Sequence, residues 1–184
     1  MDVFDQKRVL ESMVIYIDSR EQPTKRAFKR YETFGCPYQN RIPMWFGDYT
    51  YNATLPDGSD IIQTSTEKVV GKCVIERKMD LDELAMCFGK GRQRFQKEFQ
   101  KAVDNHARFI LLVENATWEK LILGKYKSRM NPNAFFSSVV SWMIRYDVPV
   151  IFCKEETSGK IIRELLYRDL KERLERGEFD VREE

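Results

Sequence analysis

The chain has 184 residues, 42% of them hydrophobic and 33% charged, with 31 Lys and Arg against 29 Asp and Glu for a formal net charge of +2. That balance excludes a disordered chain, which pairs low hydrophobicity with high net charge, and a simple polycation that coats nucleic acid. The length suits a single domain over 1–177, with an acidic, frayed tail expected over 178–184.

Residues 1–10 carry Asp2, Asp5, Lys7 and Arg8 with no apolar stretch, so no signal peptide is expected. The first strand is predicted over 13–18 (MVIYID) and a helix over 24–33. Segments 49–55 and 61–66 flank Pro56-Asp57-Gly58-Ser59 and predict a hairpin. A strand over 69–76 leads into a long helix over 81–105, opened by a capping box of Asp80 and Glu83, with Gly89 and Gly91 as points of interruption. A strand over 109–114, a short helix over 118–123 and a helix over 132–146 follow, the last with Pro132 placed after Asn131 as an N1 proline. A strand over 148–153 and a helix over 159–176, stopped by Gly177, complete the order. The pattern is that of an α/β protein whose mixed central sheet, antiparallel early and parallel later, is flanked by helices.

No apolar run approaches the ~18 residues that a membrane helix needs, so an intracellular, cytoplasmic protein with no membrane partner is expected. Cys36, Cys73, Cys87 and Cys153 form no CxxC pair, and His106 is the only histidine. With no secretory signal the thiols are expected to be reduced, the spacing argues against a structural zinc, and a Ser–His or Cys–His nucleophile would have to rely on His106 alone. Any metal site must be built mainly from carboxylate oxygens, which suits Mg²⁺, Mn²⁺ or Ca²⁺.

Local counts undo the charge balance. Segment 20–41 carries Arg20, Lys25, Arg26, Lys29, Arg30 and Arg41 against Glu21 and Glu32, and 84–101 carries Lys90, Arg92, Arg94, Lys97 and Lys101 against Glu98. Both segments are interleaved with aromatics, which fits either contact with a phosphate backbone or a solvated helix face with its aromatics turned inward. On a helical wheel for 81–105, Leu84, Phe88, Phe95 and Phe99 form the core stripe. Arg92 and Gln96 flank that stripe, and Arg94, Lys97 and Lys101 fall opposite.

Asp18, Glu21, Asp48, Glu76, Asp80 and Asp82 lie at or just beyond the ends of predicted strands. On an extended strand Glu76 and Lys78 project to the same side, about 6.6 Å apart, while Arg77 points away. Paired carboxylates can hold a hard cation that acidifies water and offsets charge on a phosphate, with an ammonium beside it to orient the water. The spacing acid, spacer, acid, x, Lys is the generic arrangement of PD-(D/E)xK nucleases, although on its own a Glu-x-Lys pair also fits a surface ion-pair ladder.

Gly47-Asp48, a spacer of 27 residues, and Glu76-Arg77-Lys78-x-x-x-Asp82 together resemble the GD…ERKxxxD signature of the XPF family of structure-specific DNA endonucleases. Ile17-Asp18-Ser19-Arg20-Glu21, Gly91-Arg92-x-x-x-Gln96, the strand over 109–114 and Arg145-Tyr146-Asp147-Val148-Pro149-Val150 are similar to further family elements, so the likeness runs over about 18–166. It implies a restriction-endonuclease-like fold that hydrolyses DNA phosphodiesters with Mg²⁺ or Mn²⁺. Carried over by position, Asp48 and Glu76 are metal ligands, Asp18 a further acid at the metal, Lys78 the catalytic lysine and Arg77 a residue that shapes the site. Asp82 supports the site, Glu21 and Arg92 line the DNA-facing cleft, and Arg20 and Gln96 belong to neighbouring family motifs; Asp80 stays a helix cap.

The larger relatives carry tandem helix-hairpin-helix modules after the nuclease domain. This chain runs into its acidic tail instead and resembles a free-standing, phage- or prophage-like member, acting on branched or nicked DNA. Ile162, Leu166, Leu170 and Leu174, four apart, read either as a homodimer seam or as ordinary core. Two other functions stay open on the residues alone: a DNA-binding module with the nuclease fold and little cleavage, and an assembly protein that keeps only the fold.

Overall fold

The computed structural model describes residues 1–62 and 68–180. Its strands are β1 (Val14–Asp18), β2 (Tyr38–Ile42), β3 (Tyr49–Asn52), β4 (Cys73–Lys78), β5 (Arg108–Glu114) and β6 (Val150–Cys153). Its helices are α1 (Val3–Glu11), α2 (Lys25–Glu32), α3 (Leu81–Phe88), α4 (Arg92–Asp104), α5 (Trp118–Ile122), α6 (Pro132–Tyr146) and α7 (Glu155–Glu175). The described strands form one sheet in the order β2-β1-β3-β4-β5-β6. β1 and β4 pair antiparallel with β3, whereas β2 on β1, β5 on β4 and β6 on β5 are parallel.

The period-2 alternation of the central strands divides the core into two layers. Val74, Phe109, Leu111 and Val113 face α3, α4 and α6, where Phe88, Phe95, Phe99 and Trp142 pack ring against ring. Cys73, Ile75, Ile110 and Leu112 face the other way, onto α1, α2 and α7. Ile162, Leu166, Leu170 and Leu174 lie in this second layer at 0–2% exposure, so the stripe is core and is not available as a dimer seam. Gly159 lets α7 approach α2, since a Cβ there would stand 2.2 Å from the Arg30 carbonyl oxygen.

Helix ends follow the expected chemistry. Asp80 accepts from the Glu83 amide at 2.8 Å, while the Glu83 carboxylate accepts from Met79 N–H at 2.6 Å, one residue earlier than a capping box reaches. Asn131 caps α6 through the Ala134 amide ahead of Pro132, and Gly177 takes φ +69° just past α7. The helix predicted over 81–105 is two helices. The Gly89-Lys90-Gly91 stretch ends α3 and α4 restarts at Arg92, while Leu84, Phe88, Phe95 and Phe99 all remain in one core layer across the break.

Other expectations shift. α1 and β2 are additional elements. α1 is marked only by its Asp2 cap, and β2 is exposed at four of five positions and joins the sheet edge by backbone pairing rather than by an apolar pattern. Val69 belongs to a bridge with Met44, so β4 begins at Cys73. The hairpin keeps β3 and a Thr54–Asp60 bridge, but most of its second arm lies outside the described residues. Of the tail, 178–180 is tied back rather than frayed, with Glu178 on Arg173 at 2.6 Å and Asp180 on the Met1 ammonium at 2.8 Å; 181–184 lie outside the described residues.

Candidate active site

A cleft of about 1190 Å³ opens where β3 and β4 meet α3 and α4, and Glu21, Asp48, Glu76, Arg77 and Lys78 line it. Asp48 gets there through Gly47, whose φ of +72° turns the chain into β3 and whose Cβ, if present, would stand 2.0 Å from Val74 Cγ1. The turn then docks on both neighbours. Asp48 N–H donates to Ile75 O and its carbonyl accepts from Asp18 N–H, each at 2.9 Å. Arg77 N–H donates to Asp48 Oδ2 at 2.8 Å, orienting the carboxylate from the adjacent strand.

Glu76 and Lys78 share one side of β4 as their two-residue spacing requires, and their side chains form a close buried ion pair. Burial, and then the charge of Asp48, push the Glu76 carboxyl up to about 7 against the pull of Lys78. Burial works against the Lys78 ammonium, but Glu76 and Asp48 outweigh it and raise its pKa. Phe95 packs beside the ammonium, with Nζ 5.3 Å from the ring centroid.

Arg77 points away from that pair into a buried ionic cluster. Its Nη1 donates to Glu114 Oε2 at 2.9 Å and its Nη2 lies 3.4 Å from Glu21 Oε1. Arg30, from α2, binds the same two acids, with Nε on Glu114 Oε1 at 3.0 Å and Nη1 on Glu21 Oε1 at 3.2 Å. Tyr49 OH donates to Glu21 at 2.9 Å. Burial leads the causes that raise the Glu21 carboxyl, followed by Asp48 among the charges that push it upward. The cluster clamps β3, β4 and β5 to α2 directly beneath the cleft.

Other predicted residues sit elsewhere. Asp18 has a fully buried side chain and lies outside the cleft lining. Its Oδ1 accepts from Arg20 N and Nε, both at 2.7 Å, and its Oδ2 from Met44 N–H at 2.9 Å. These bonds make Asp18 hold the β1 end in place. Arg20 lines the cleft beside it, its pKa raised first by the bond to Asp18. Asp82 does not enter the cleft. Its Oδ1 accepts from Lys127 N–H at 2.7 Å and Ser128 N–H at 2.6 Å, pinning the loop that brings Ser128, Arg129 and Met130 to the cleft wall. Arg92 lies over the Trp142 ring and Gln96 is exposed, both off the cleft. Arg94, Phe95 and Glu98 face the cleft instead.

Sequence reasoning missed Arg30, Tyr49 and Glu114 as parts of the site. Glu114 ends an apolar strand and is 0% exposed, and a charge closing a buried run is the one local signal that marks it.

The donor set fits a hard divalent cation. Asp48 and Glu76 offer oxygens at the cleft floor, and Glu98 Oε2, on the same cleft, is buried with no hydrogen-bond partner among the described residues. No three Asp, Glu, His or Cys side chains among the described residues already stand together in ligand geometry.

Residues 17–165 match the model of the ERCC4 domain. Among solved structures, XPF from Aeropyrum pernix is similar in fold, with a TM-score of 0.58 and 15% identity over 90% of this chain and 69% of that one. That likeness accords with the mixed, helix-flanked α/β sheet read from the sequence. A comparison with curated proteins finds no match. Among the described residues, no helix is long and apolar enough to cross a membrane.

Proposed function

The chain belongs to the ERCC4 domain family, and from that membership we propose that it is a divalent-metal-dependent endonuclease hydrolysing DNA phosphodiester bonds at branched, flap-like or nicked sites. The observation that carries this reading is the convergence of Asp48, Glu76 and Lys78 on one cleft that is also lined by Arg20, Arg26, Lys90, Arg94 and Arg129. A basic rim draws the phosphate backbone in, and acids at its floor make sense only with a cation between them and the phosphate.

Asp48 and Glu76 would hold Mg²⁺ or Mn²⁺. When bound, the cation supplies charge neutralisation at the scissile phosphate and a lowered pKa for water. The chain's own residues do the rest. Lys78, kept protonated by Glu76 and Asp48, donates to a phosphate oxygen and orients the attacking water. Arg77 N–H fixes the Asp48 rotamer, so the acid is aimed before substrate arrives. The Arg30–Glu114–Arg77–Glu21 cluster prevents that peptide from shifting. Phe95, Met79, Met86 and Met130 give part of the cleft an apolar lining.

The test is cleavage of labelled linear, nicked, flap, fork and junction DNA with and without Mg²⁺ or Mn²⁺. Cleavage that requires metal and disappears in Asp48→Asn is expected. Tight binding without cleavage of any substrate in Mn²⁺ would favour the binding-module reading.

A further inference from the structure

Glu98 is an acid of the cleft that the proposed chemistry has not used. α4 carries it to the wall of the same cleft as Asp48, Glu76 and Lys78. Its side chain is 14% exposed, Oε1 lies 3.3 Å from Lys101 Nζ, and Oε2 is buried without a partner among the described residues. A buried acceptor left unsatisfied is destabilising, and more so when it is charged. The position is unfavourable in a second way. A carboxylate on the wall of a phosphate-binding cleft repels the substrate unless a cation stands between them.

Lys101 does not meet that need. It is one-third exposed, contacts the other oxygen, and also donates to Trp45 O at 3.2 Å. The expected third acid, Asp18, is occupied by Arg20 and the Met44 amide. Of the other acids lining the cleft, Glu21 is held by Arg30, Arg77 and Tyr49 and Glu83 accepts from Met79 N–H, which leaves Asp48 and Glu76 with an orphaned carboxylate oxygen on the same cleft.

We propose that Glu98 is the third carboxylate of the metal site, acting from α4 in the place expected for Asp18 and reaching the cation through its hydration shell. A hydrating water supplies the donor that Oε2 lacks. The inference rests on the metal-dependent reading of the cleft, and its test separates the two.

Calorimetric titration of Mn²⁺ into the metal-free full chain, without DNA, is the measurement. Outer-sphere partners of this kind change metal affinity by about 10- to 100-fold. Glu98→Gln is therefore expected to weaken Mn²⁺ binding by that factor while unfolding at the same temperature or higher without metal. Glu98→Asp, which keeps the charge, should fall between it and the wild type, and it decides the matter if Glu98→Gln does not fold. Lys101→Ala should bind Mn²⁺ as the wild type does. Wild-type affinity in Glu98→Gln, alongside loss in Glu76→Gln, overturns this inference and leaves the metal reading intact. Equal weakening in Lys101→Ala and Glu98→Gln overturns it too, because the ion pair would then be structural. If the wild type takes up no Mn²⁺, both fall.

Discussion

The backbone N–H of Arg77 holds Asp48 Oδ2 at 2.8 Å while the same residue's guanidinium holds Glu114 Oε2 at 2.9 Å. One residue therefore orients the acid of the cleft with its main chain and anchors the sheet beneath with its side chain. Two arginines and two glutamates make the cluster near neutral overall, the condition under which buried charges are tolerated.

Removing the Glu114 carboxylate breaks that balance and leaves Arg30 and Arg77 facing each other across a buried gap. Breaking such a pair by deleting one partner costs about 3–5 kcal/mol. Urea denaturation of metal-free Glu114→Ala should show a loss of that order. A loss under about 1 kcal/mol, the scale of an exposed ion pair, would mean that water already screens the cluster.

Gly47→Ala tests the turn that delivers Asp48. Alanine would have to adopt φ +72° and place Cβ 2.0 Å from Val74 Cγ1. The backbone conformation alone costs about 1–3 kcal/mol. Adding Val74→Ala removes the clash but not the strain, so the double variant should recover part of the stability lost in Gly47→Ala. Full recovery would place the whole cost in packing.

The strands, the α/β order and the pair Glu76–Lys78 were legible because period-2 alternation and i, i+2 spacing are local properties of the chain. What was not legible came from tertiary geometry. β2 is polar and joins the sheet through backbone bonds, so it has no pattern to read. Asp18 and Asp48 look equivalent as strand-end acids, and only the packing of Arg20 and the Met44 amide against Asp18 separates a structural acid from a cleft acid. On α4, Phe95 and Phe99 keep the core face expected of them, and the cleft lies on the Arg94 and Glu98 side of that stripe rather than on the Arg92 side, which the sequence alone does not distinguish.

The placing of Arg94 on the cleft and Arg92 off it can be checked by binding. Arg94 lines the cleft, whereas Arg92 lies over the Trp142 ring away from it. Each DNA phosphate that the protein ceases to neutralise lowers the slope of log affinity against log salt by about 0.9. Arg94→Ala should therefore bind duplex DNA more weakly at low salt and with a slope shallower by about one. Arg92→Ala should leave the slope unchanged and lose some stability instead, because its cation–π interaction packs α4 on the core. The reverse pattern would restore Arg92 as the cleft residue.

Lys78→Ala separates catalysis from folding. The ammonium is buried against Glu76 and beside Phe95, and its loss removes the positive charge that offsets Asp48 and Glu76. Positioned proton donors and water-orienting groups contribute about 10²- to 10⁴-fold, so cleavage should fall by that factor with DNA binding little changed. The fold should survive, because Glu76 has an alternative to carrying an unpaired charge. Burial and Asp48 already hold its carboxyl up to about 7, and without Lys78 it moves further up and takes a proton near neutrality. A carboxyl raised on folding binds more protons in the native than in the unfolded state, so its contribution to stability is present at low pH and is lost as pH rises. In the metal-free wild type that loss should run from about 4.5 to 7, and in Lys78→Ala it should extend to higher pH. Thermal unfolding across pH 4–9 would show this as a curve for Lys78→Ala that keeps falling where the wild type has levelled. Parallel curves would mean that Lys78 and Glu76 are not coupled, and the role given to Lys78 would lose its electrostatic basis.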